Sequence, residues 1–202
     1  MAANKTQKIP GKVFVLSGPS GSGKTTLLSG LIQDSKLKDK LLKSVSLTTR
    51  PKRPQELSGK DYFFVKKQRF LDMLKAKKIL EWTRYLGYYY GTPKQLVDRK
   101  LKLGKSIGFC LDIKGARALK RIYPKQAVTI FVKPPSISTL KKRIESRSAC
   151  ADKAETSKRL ALARKELRAA AGFDHIILNT ELAQAKKQLI NIITSEITNR
   201  HR

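Results

Sequence analysis

The sequence predicts an α/β fold, a parallel sheet flanked by helices that carries a β-rich insert. Three observations lead there. Short apolar runs recur along the chain, and helix-like segments separate most of them. A glycine-rich turn joins the first apolar run to the first helical stretch. One block, residues 50–92, breaks the alternation and holds most of the aromatic side chains.

Residues 1–10 read as a loose basic tail, and the domain spans residues 11–202. Lys12 to Ser17 is short and nearly continuous in apolar residues, as a strand buried on both faces should be. The helical stretch after the turn puts Leu27, Leu28, Leu31 and Ile32 on one face. Further apolar runs follow at Val45–Leu47, Ile107–Leu111, Val128–Val132 and Ile176–Leu178. Helices are predicted over Pro93–Lys102, Ala116–Ile122, Ile137–Arg147, Ala154–Ala171 and Glu181–Thr198. Within the insert, β-rich runs at Tyr62–Val65 and Ile79–Leu86 flank a helix at Gln68–Lys75. Such an insert could close over a ligand.

Composition narrows the partners. At 202 residues and 40% hydrophobic content the chain can bury a core. No stretch approaches the roughly 20 apolar residues of a membrane span, and the polar start (Met-Ala-Ala-Asn-Lys-Thr-Gln-Lys) lacks a signal-peptide block. A cytoplasmic protein without a membrane partner is expected. Cys110 sits in an apolar run and reads as core, while Cys150 lies in a polar segment, so no disulfide framework is expected. His175 and His201 have no zinc-ligand spacing. The net charge of +29 draws anions. Nucleic acid, an acidic membrane surface and nucleotides would each satisfy it, and a solvated lysine-rich surface is the plainest reading of most of these residues. Neither a helix-turn-helix nor an aromatic-basic RNA-binding strand is present, so no specific nucleic-acid partner is expected. Weak, salt-sensitive binding of nucleic acid is compatible with the charge.

Gly18-Pro19-Ser20-Gly21-Ser22-Gly23-Lys24-Thr25 fits G-x-x-x-x-G-K-[ST] at every constrained position. It follows a buried strand and opens a helix, where a phosphate loop must sit. Glycines let backbone N–H groups turn inward on phosphate oxygens, and the helix offers its positive end. Lys24 places a charge on the β- and γ-phosphates of ATP, and the Thr25 hydroxyl is a candidate ligand for Mg2+ bound with ATP. The sheet is therefore that of a P-loop NTPase.

Ser44-Val45-Ser46-Leu47-Thr48-Thr49-Arg50-Pro51-Lys52-Arg53-Pro54 comes after the first helix. Glu56, Gly59, Lys60, Asp61, Tyr62, Phe63 and Phe64 follow, then Glu81-Trp82 and Gly87-Tyr88-Tyr89-Tyr90-Gly91-Thr92. Together with the phosphate loop these residues resemble the guanylate kinases, from about Lys12 to the end of the chain. The resemblance implies transfer of the ATP γ-phosphate to GMP, giving ADP and GDP. It implies a core, a GMP-binding insert (about residues 45–92) and a short lid (about residues 143–159). Arg50, Arg53, Tyr62 and Tyr90 would hold the GMP phosphate, and Ser46, Glu81 and Thr92 would read guanine. Chemistry agrees. Two arginines suit a dianion, and one carboxylate can accept guanine N1–H and N2–H together. Adenine lacks that donor pair. Thr92 before Pro93 also reads as a helix N-cap, and both roles can hold together.

The resemblance further implies that Arg143, Arg147 and Arg159 surround the transferring phosphate, and that Asn179 lies on the ATP side. Asn179 could equally be a turn former at the end of a strand. Ser148–Lys153 is the expected mobile stretch. The chain departs from the family at one place. Many members carry Asp-Ile-Asp, two residues and a glycine, whereas this chain reads Leu111-Asp112-Ile113-Lys114-Gly115. Read from Asp112, the segment is two residues short and Lys114 stands where a second acid is expected. Asp112 is assigned to the GMP side. A kinase of phosphorylated sugars and a non-catalytic scaffold are the competing readings, and monomer and homodimer are both compatible with the sequence.

Overall fold

The computed structural model describes residues 10–85, 87–147 and 153–199. Five parallel strands form the core sheet in the order β2-β7-β1-β8-β9. These are β1 (Val13–Ser17), β2 (Leu41–Lys43), β7 (Ser106–Cys110), β8 (Ala127–Lys133) and β9 (His175–Leu178). The central strand β1 is buried along its whole length and pairs with β7 on one side and β8 on the other. That is why its sequence shows no polar alternation.

Helices cover both faces. Helices α1 (Lys24–Ile32) and α7 (Leu182–Thr198) press Leu27, Leu28, Leu31, Leu189 and Ile193 against Phe14, Leu16, Ile130 and Val132. On the other face α3 (Lys94–Lys102) and α4 (Ile113–Ile122) bring Val97, Leu101, Ala116 and Leu119 onto Val13, Val15 and Phe109. Two further helices, α5 (Ile137–Arg147) and α6 (Lys153–Arg168), pack on each other through Leu140, Ile144, Leu160 and Ala163.

A second sheet has the order β4-β3-β6-β5. It comprises β3 (Ser46–Thr48), β4 (Tyr62–Phe64), β5 (Ile79–Tyr85) and β6 (Tyr88–Pro93), and α2 (Lys67–Lys75) lies on one side of it. Two expectations change here. The run Val45–Leu47 was expected in the core alternation, but β3 belongs to the second sheet, and Leu41–Lys43 supplies the fifth core strand. Leu41 is buried beside β7 while lysines flank this short strand, so its apolar signal is diluted. Strand β6 also went unpredicted, since Thr92 and Pro93 read as the start of a helix. Pro93 ends the strand, and Gly91 is required: a β-carbon there would stand 2.9 Å from Ile79 Cγ2 and 3.0 Å from Phe70 Cζ.

Strand alternation gives the second sheet two different faces. Leu47 and Phe63 turn to α2 and pack with Phe70, Ile79, Met73, Leu74 and Tyr89. Ser46, Thr48, Tyr62, Phe64 and Tyr90 share the opposite face by register. Phe70 is fully buried at the centre of the α2 side. Phe70→Ala should cost about 3–5 kcal/mol of stability, read as a lowered midpoint in urea unfolding.

Candidate active site

The phosphate loop is clamped from three sides. A β-carbon on Gly18 would stand 2.4 Å from the Val132 carbonyl oxygen of β8. One on Gly21 would meet Leu140, Ile144 and Arg143 of α5, and one on Gly23 would stand 2.3 Å from Asn179 Nδ2. All three glycines have positive φ, so backbone shape demands glycine, and at Gly18 and Gly23 lack of space does too. Lys24 Nζ donates to the carbonyls of Gly18 at 2.6 Å and Pro19 at 2.8 Å, folded onto its own loop. Pro19 and Ser22 are buried, whereas Ser20 and Thr25 are exposed at the mouth. Asn179 is buried, and its Nδ2 donates to the Ser22 carbonyl at 2.8 Å. It therefore holds the loop's backbone directly.

The acceptor residues predicted from the sequence converge on the polar face of the second sheet. Extending the β3–β6 and β5–β6 registers by one residue sets Ser46, Thr92 and Glu81 abreast on three neighbouring strands. Thr92 Oγ1 donates to Glu81 Oε1 at 2.5 Å in a buried contact. This corrects the reading of Thr92 as a helix cap. Pro93 holds the N-cap position of α3, with no side-chain bond to the helix. At the other end of the face the Arg50 guanidinium lies 5.7 Å from the Tyr62 ring centre and 5.9 Å from that of Phe64. The Tyr62 and Tyr90 rings meet edge-on at 5.9 Å. Burial pushes the Tyr62 hydroxyl up, which keeps it a neutral donor. Arg53 is exposed, and its backbone N–H donates to Glu56 at 2.8 Å.

Glu81 also faces the core. A β-carbon on Gly115 would stand 2.9 Å from Glu81 Oε2 and 3.3 Å from Asp112 Oδ1. Asp112 caps α4, accepting from Gly115 N at 2.7 Å. Burial, with a smaller push from Asp112, raises the Glu81 carboxyl to about 7, against the Thr92 bond that lowers it. The close approach at Gly115 fixes how this segment matches the family pattern. Counted back from that glycine, Asp112 takes the second acid's position and Cys110 the first's. The segment is then not shortened, and Lys114 is an exposed residue of α4. Cys110 ends β7 opposite Leu16 and lies near Lys24 and Thr25. Burial raises its thiol to about 11.

Helix α5 brings Arg143 to the loop, its Cβ 3.7 Å from the place of a Gly21 β-carbon. Arg159 is half-buried on α6, in line with Thr156, Ala163, Glu166 and Ala170. The Arg147 side chain and residues 148–152, which hold most of the expected mobile stretch and Cys150, lie outside the described residues. Glu166 was missed by the sequence reading. Burial pushes its carboxyl up, and the charges of Lys24 and Asp112 bear on it. The available signal was its spacing of two helical turns from Arg159.

A clamped phosphate loop and a separate sheet face that carries an arginine, tyrosine hydroxyls and a buried carboxylate define a P-loop nucleotide kinase. Comparison with known proteins refines that class. A family profile described as guanylate kinase matches residues 10–196. The guanylate kinase of Synechocystis sp. is 39% identical over 97% of this chain and 100% of its own length. That of Thermosynechococcus vestitus is 42% identical over 92% of this chain and 93% of its own. A crystal structure of guanylate kinase from Anaplasma phagocytophilum superposes with a TM-score of 0.76 at 29% identity, covering 94% of this chain and 87% of that one. This chain belongs to the guanylate kinase family, the ATP:GMP phosphotransferases that form GDP. Asn179→Ala should free the buried Ser22 carbonyl and cost about 1–3 kcal/mol of stability, seen as a lower melting temperature together with weaker ATP binding.

Proposed function

We propose that ATP binds with its phosphates on Gly18–Thr25 and that GMP binds on the polar face of the second sheet. The observation that carries this reading is the contact of Glu81 with both Thr92 and the Gly115 turn, which lays a buried carboxylate between the insert and the core. Glu81 accepts N1–H and N2–H of guanine, and Ser46 and Thr92 complete the base contacts. Asp112 borders the same pocket, one hydrogen bond from Gly115. Arg50, Arg53, Tyr62 and Tyr90 receive the GMP phosphate, the guanidinium groups by paired N–H donors. A phosphate oxygen of GMP then attacks the γ-phosphorus in line. The bond from the γ-phosphorus to the bridging oxygen breaks, and ADP leaves with that oxygen.

No side-chain nucleophile is required, since catalysis is positioning and charge stabilisation. Lys24 leaves the Gly18 and Pro19 carbonyls for the β- and γ-phosphates. Arg143, Arg147 and Arg159 bring positive charge from the α5–α6 pair, and closure of that pair excludes water. Asn179 holds the loop from the ATP side. The Thr25 hydroxyl and the Asp112 carboxylate are hard oxygen donors suited to Mg2+, and the Cys110 thiol is not. Among the described residues no group of three acidic, histidine or cysteine side chains could hold a metal, which fits an ion carried largely by nucleotide and water. When bound, Mg2+ would neutralise charge on the β- and γ-phosphates. No helix among the described residues is long and apolar enough to cross a membrane. The reading places the enzyme with its nucleotide substrates in the cytoplasm.

An ADP-release assay with GMP, AMP, CMP, UMP and a phosphorylated sugar tests the acceptor. GMP should be strongly preferred, and Glu81→Gln should abolish the preference. Turnover of the sugar phosphate instead would overturn the reading. Lys24→Ala should lower kcat by at least about 10³-fold, the scale of a lost charge at the transferring phosphate; a loss of only a few-fold would rule the mechanism out.

The pH dependence has a definite sign. Glu81 must be ionised to accept two guanine donors, and its carboxyl titrates at about 7. Above that pH the acceptor form dominates. Below it, KM for GMP should climb about tenfold per pH unit. The GMP phosphate takes a proton near pH 6 itself. Competitive inhibition by guanosine, which has no phosphate, isolates the contribution of Glu81.

A further inference from the structure

We propose that Glu56 is a positioning residue for the acceptor phosphate, a resident carboxylate that holds Arg50 and the Arg53–Glu56 turn in the shape the phosphate needs. The inference rests on the reading of Arg50 as a GMP phosphate ligand. Each Glu56 oxygen has its own partner. Oε1 accepts from Arg50 Nη2 at 2.5 Å, and Oε2 accepts from Arg53 N at 2.8 Å. The backbone N–H of Glu56 returns a bond to the Arg53 carbonyl at 3.1 Å. One side chain thus ties together both loop positions that carry the arginines.

Arg50 is held at every part. Its backbone N–H donates to Thr48 Oγ1 at 3.1 Å, and Thr48 Oγ1 in turn donates to the Tyr89 carbonyl. Its guanidinium lies against the Tyr62 and Phe64 rings, and Nη1 donates to the Pro51 carbonyl at 2.7 Å. The Arg50 and Glu56 side chains are 14% and 17% exposed, so the pair sits in a wall and not on an open surface. The bond from Arg50 holds the Glu56 carboxyl below its usual range, so it is charged throughout the neutral range. Pro51 and Glu56 take one N–H each of the five on the guanidinium, and Tyr90, itself assigned to the phosphate, is a further hydrogen-bond partner.

A free arginine loses rotamer freedom when it clamps a phosphate. Here that loss is taken before GMP arrives. Without Glu56, Arg50 keeps its ring contacts but loses the partner that sets the direction of its fork. The consequence is confined to the phosphate. Guanine is read by Glu81 and Thr92, which make none of these contacts.

The experiment compares the parent enzyme with Glu56→Ala and Glu56→Gln. The readouts are KM for GMP, KM for ATP, kcat, and the inhibition constant of guanosine. Glu56→Ala should raise KM for GMP about tenfold, with kcat, KM for ATP and guanosine inhibition within twofold of the parent. Glu56→Gln should lie between, because its amide oxygen still accepts one bond. By titration calorimetry with GMP, Glu56→Ala should weaken binding less in an Arg50→Ala background than in the parent, because only the bond to Arg53 N is then left to lose. Equal weakening of GMP and guanosine would assign Glu56 to the fold of the insert alone and overturn the proposal. So would an unchanged KM for GMP, and so would tighter GMP binding, which would make Glu56 a competitor of the phosphate. A parent enzyme that ignores GMP would defeat the acceptor assignment itself, an outcome distinct from all of these.

Discussion

The close approach of three elements to the positive-φ glycines of one loop is the constraint around which the core is arranged. Gly18 is closed by β8, Gly21 by α5, and Gly23 by Asn179 at the end of β9. The phosphate loop is therefore not a free turn between β1 and α1. It is the meeting point of elements that lie far apart in the chain, and its N–H groups are aimed by all of them at once. A loop so held loses little freedom on binding phosphate, and that preorganisation favours catalysis by positioning. The same contacts place Arg143 at the loop's edge, because it lies in the turn of α5 between Leu140 and Ile144.

The charge distribution follows a related logic. Basic residues outnumber acidic ones 44 to 15, yet the carboxyl groups of Glu81 and Glu166 both feel the charge of Asp112. Carboxylates next to two phosphorylated substrates would be costly in a neutral protein. The surrounding positive field offsets that cost and leaves acids free for work that cations cannot do. Guanine offers donors on its N1 and N2 edge, and only an acceptor can meet them. Arginine and lysine have no acceptor at all.

Much of this was legible in the sequence, and the part that was not has a physical cause. The phosphate loop needs one local segment, so its motif and context sufficed. The acceptor residues could be named one by one, but their common face depends on non-local strand registers and on a β-bulge between Ile79 and Trp82. Strand β2 is three residues long and bordered by lysines, so no periodicity marks it. Thr92 satisfied the local rule for a helix cap, yet a buried carboxylate on the neighbouring strand takes its hydroxyl. Tertiary context overrode propensity there, whereas Cys110 packs against the core as its apolar neighbours imply and also lies near Lys24 and Thr25. Glu166 shows the reverse case. Its helical spacing from Arg159 was present in the sequence, but the direction of that helix face was not.

The position of Glu81 also explains why the base pocket cannot belong to the insert alone. One carboxylate oxygen is bound by Thr92 of the second sheet, and the other lies against the Gly115 turn of the core. On the proposed reading the base site lies where the insert meets the core, so acceptor binding and alignment with the phosphate loop are the same event. Burial between them is what raises the carboxyl to about 7. A group in that condition is poorly solvated and has one neutral donor. On that reading guanine supplies the two N–H groups that burial removed, whereas adenine would leave the carboxylate desolvated and unpaired. The discrimination thus comes from the penalty on the wrong base more than from a stronger bond to the right one. It requires that Gly115 remain without a side chain, so that the carboxylate can be buried without being displaced.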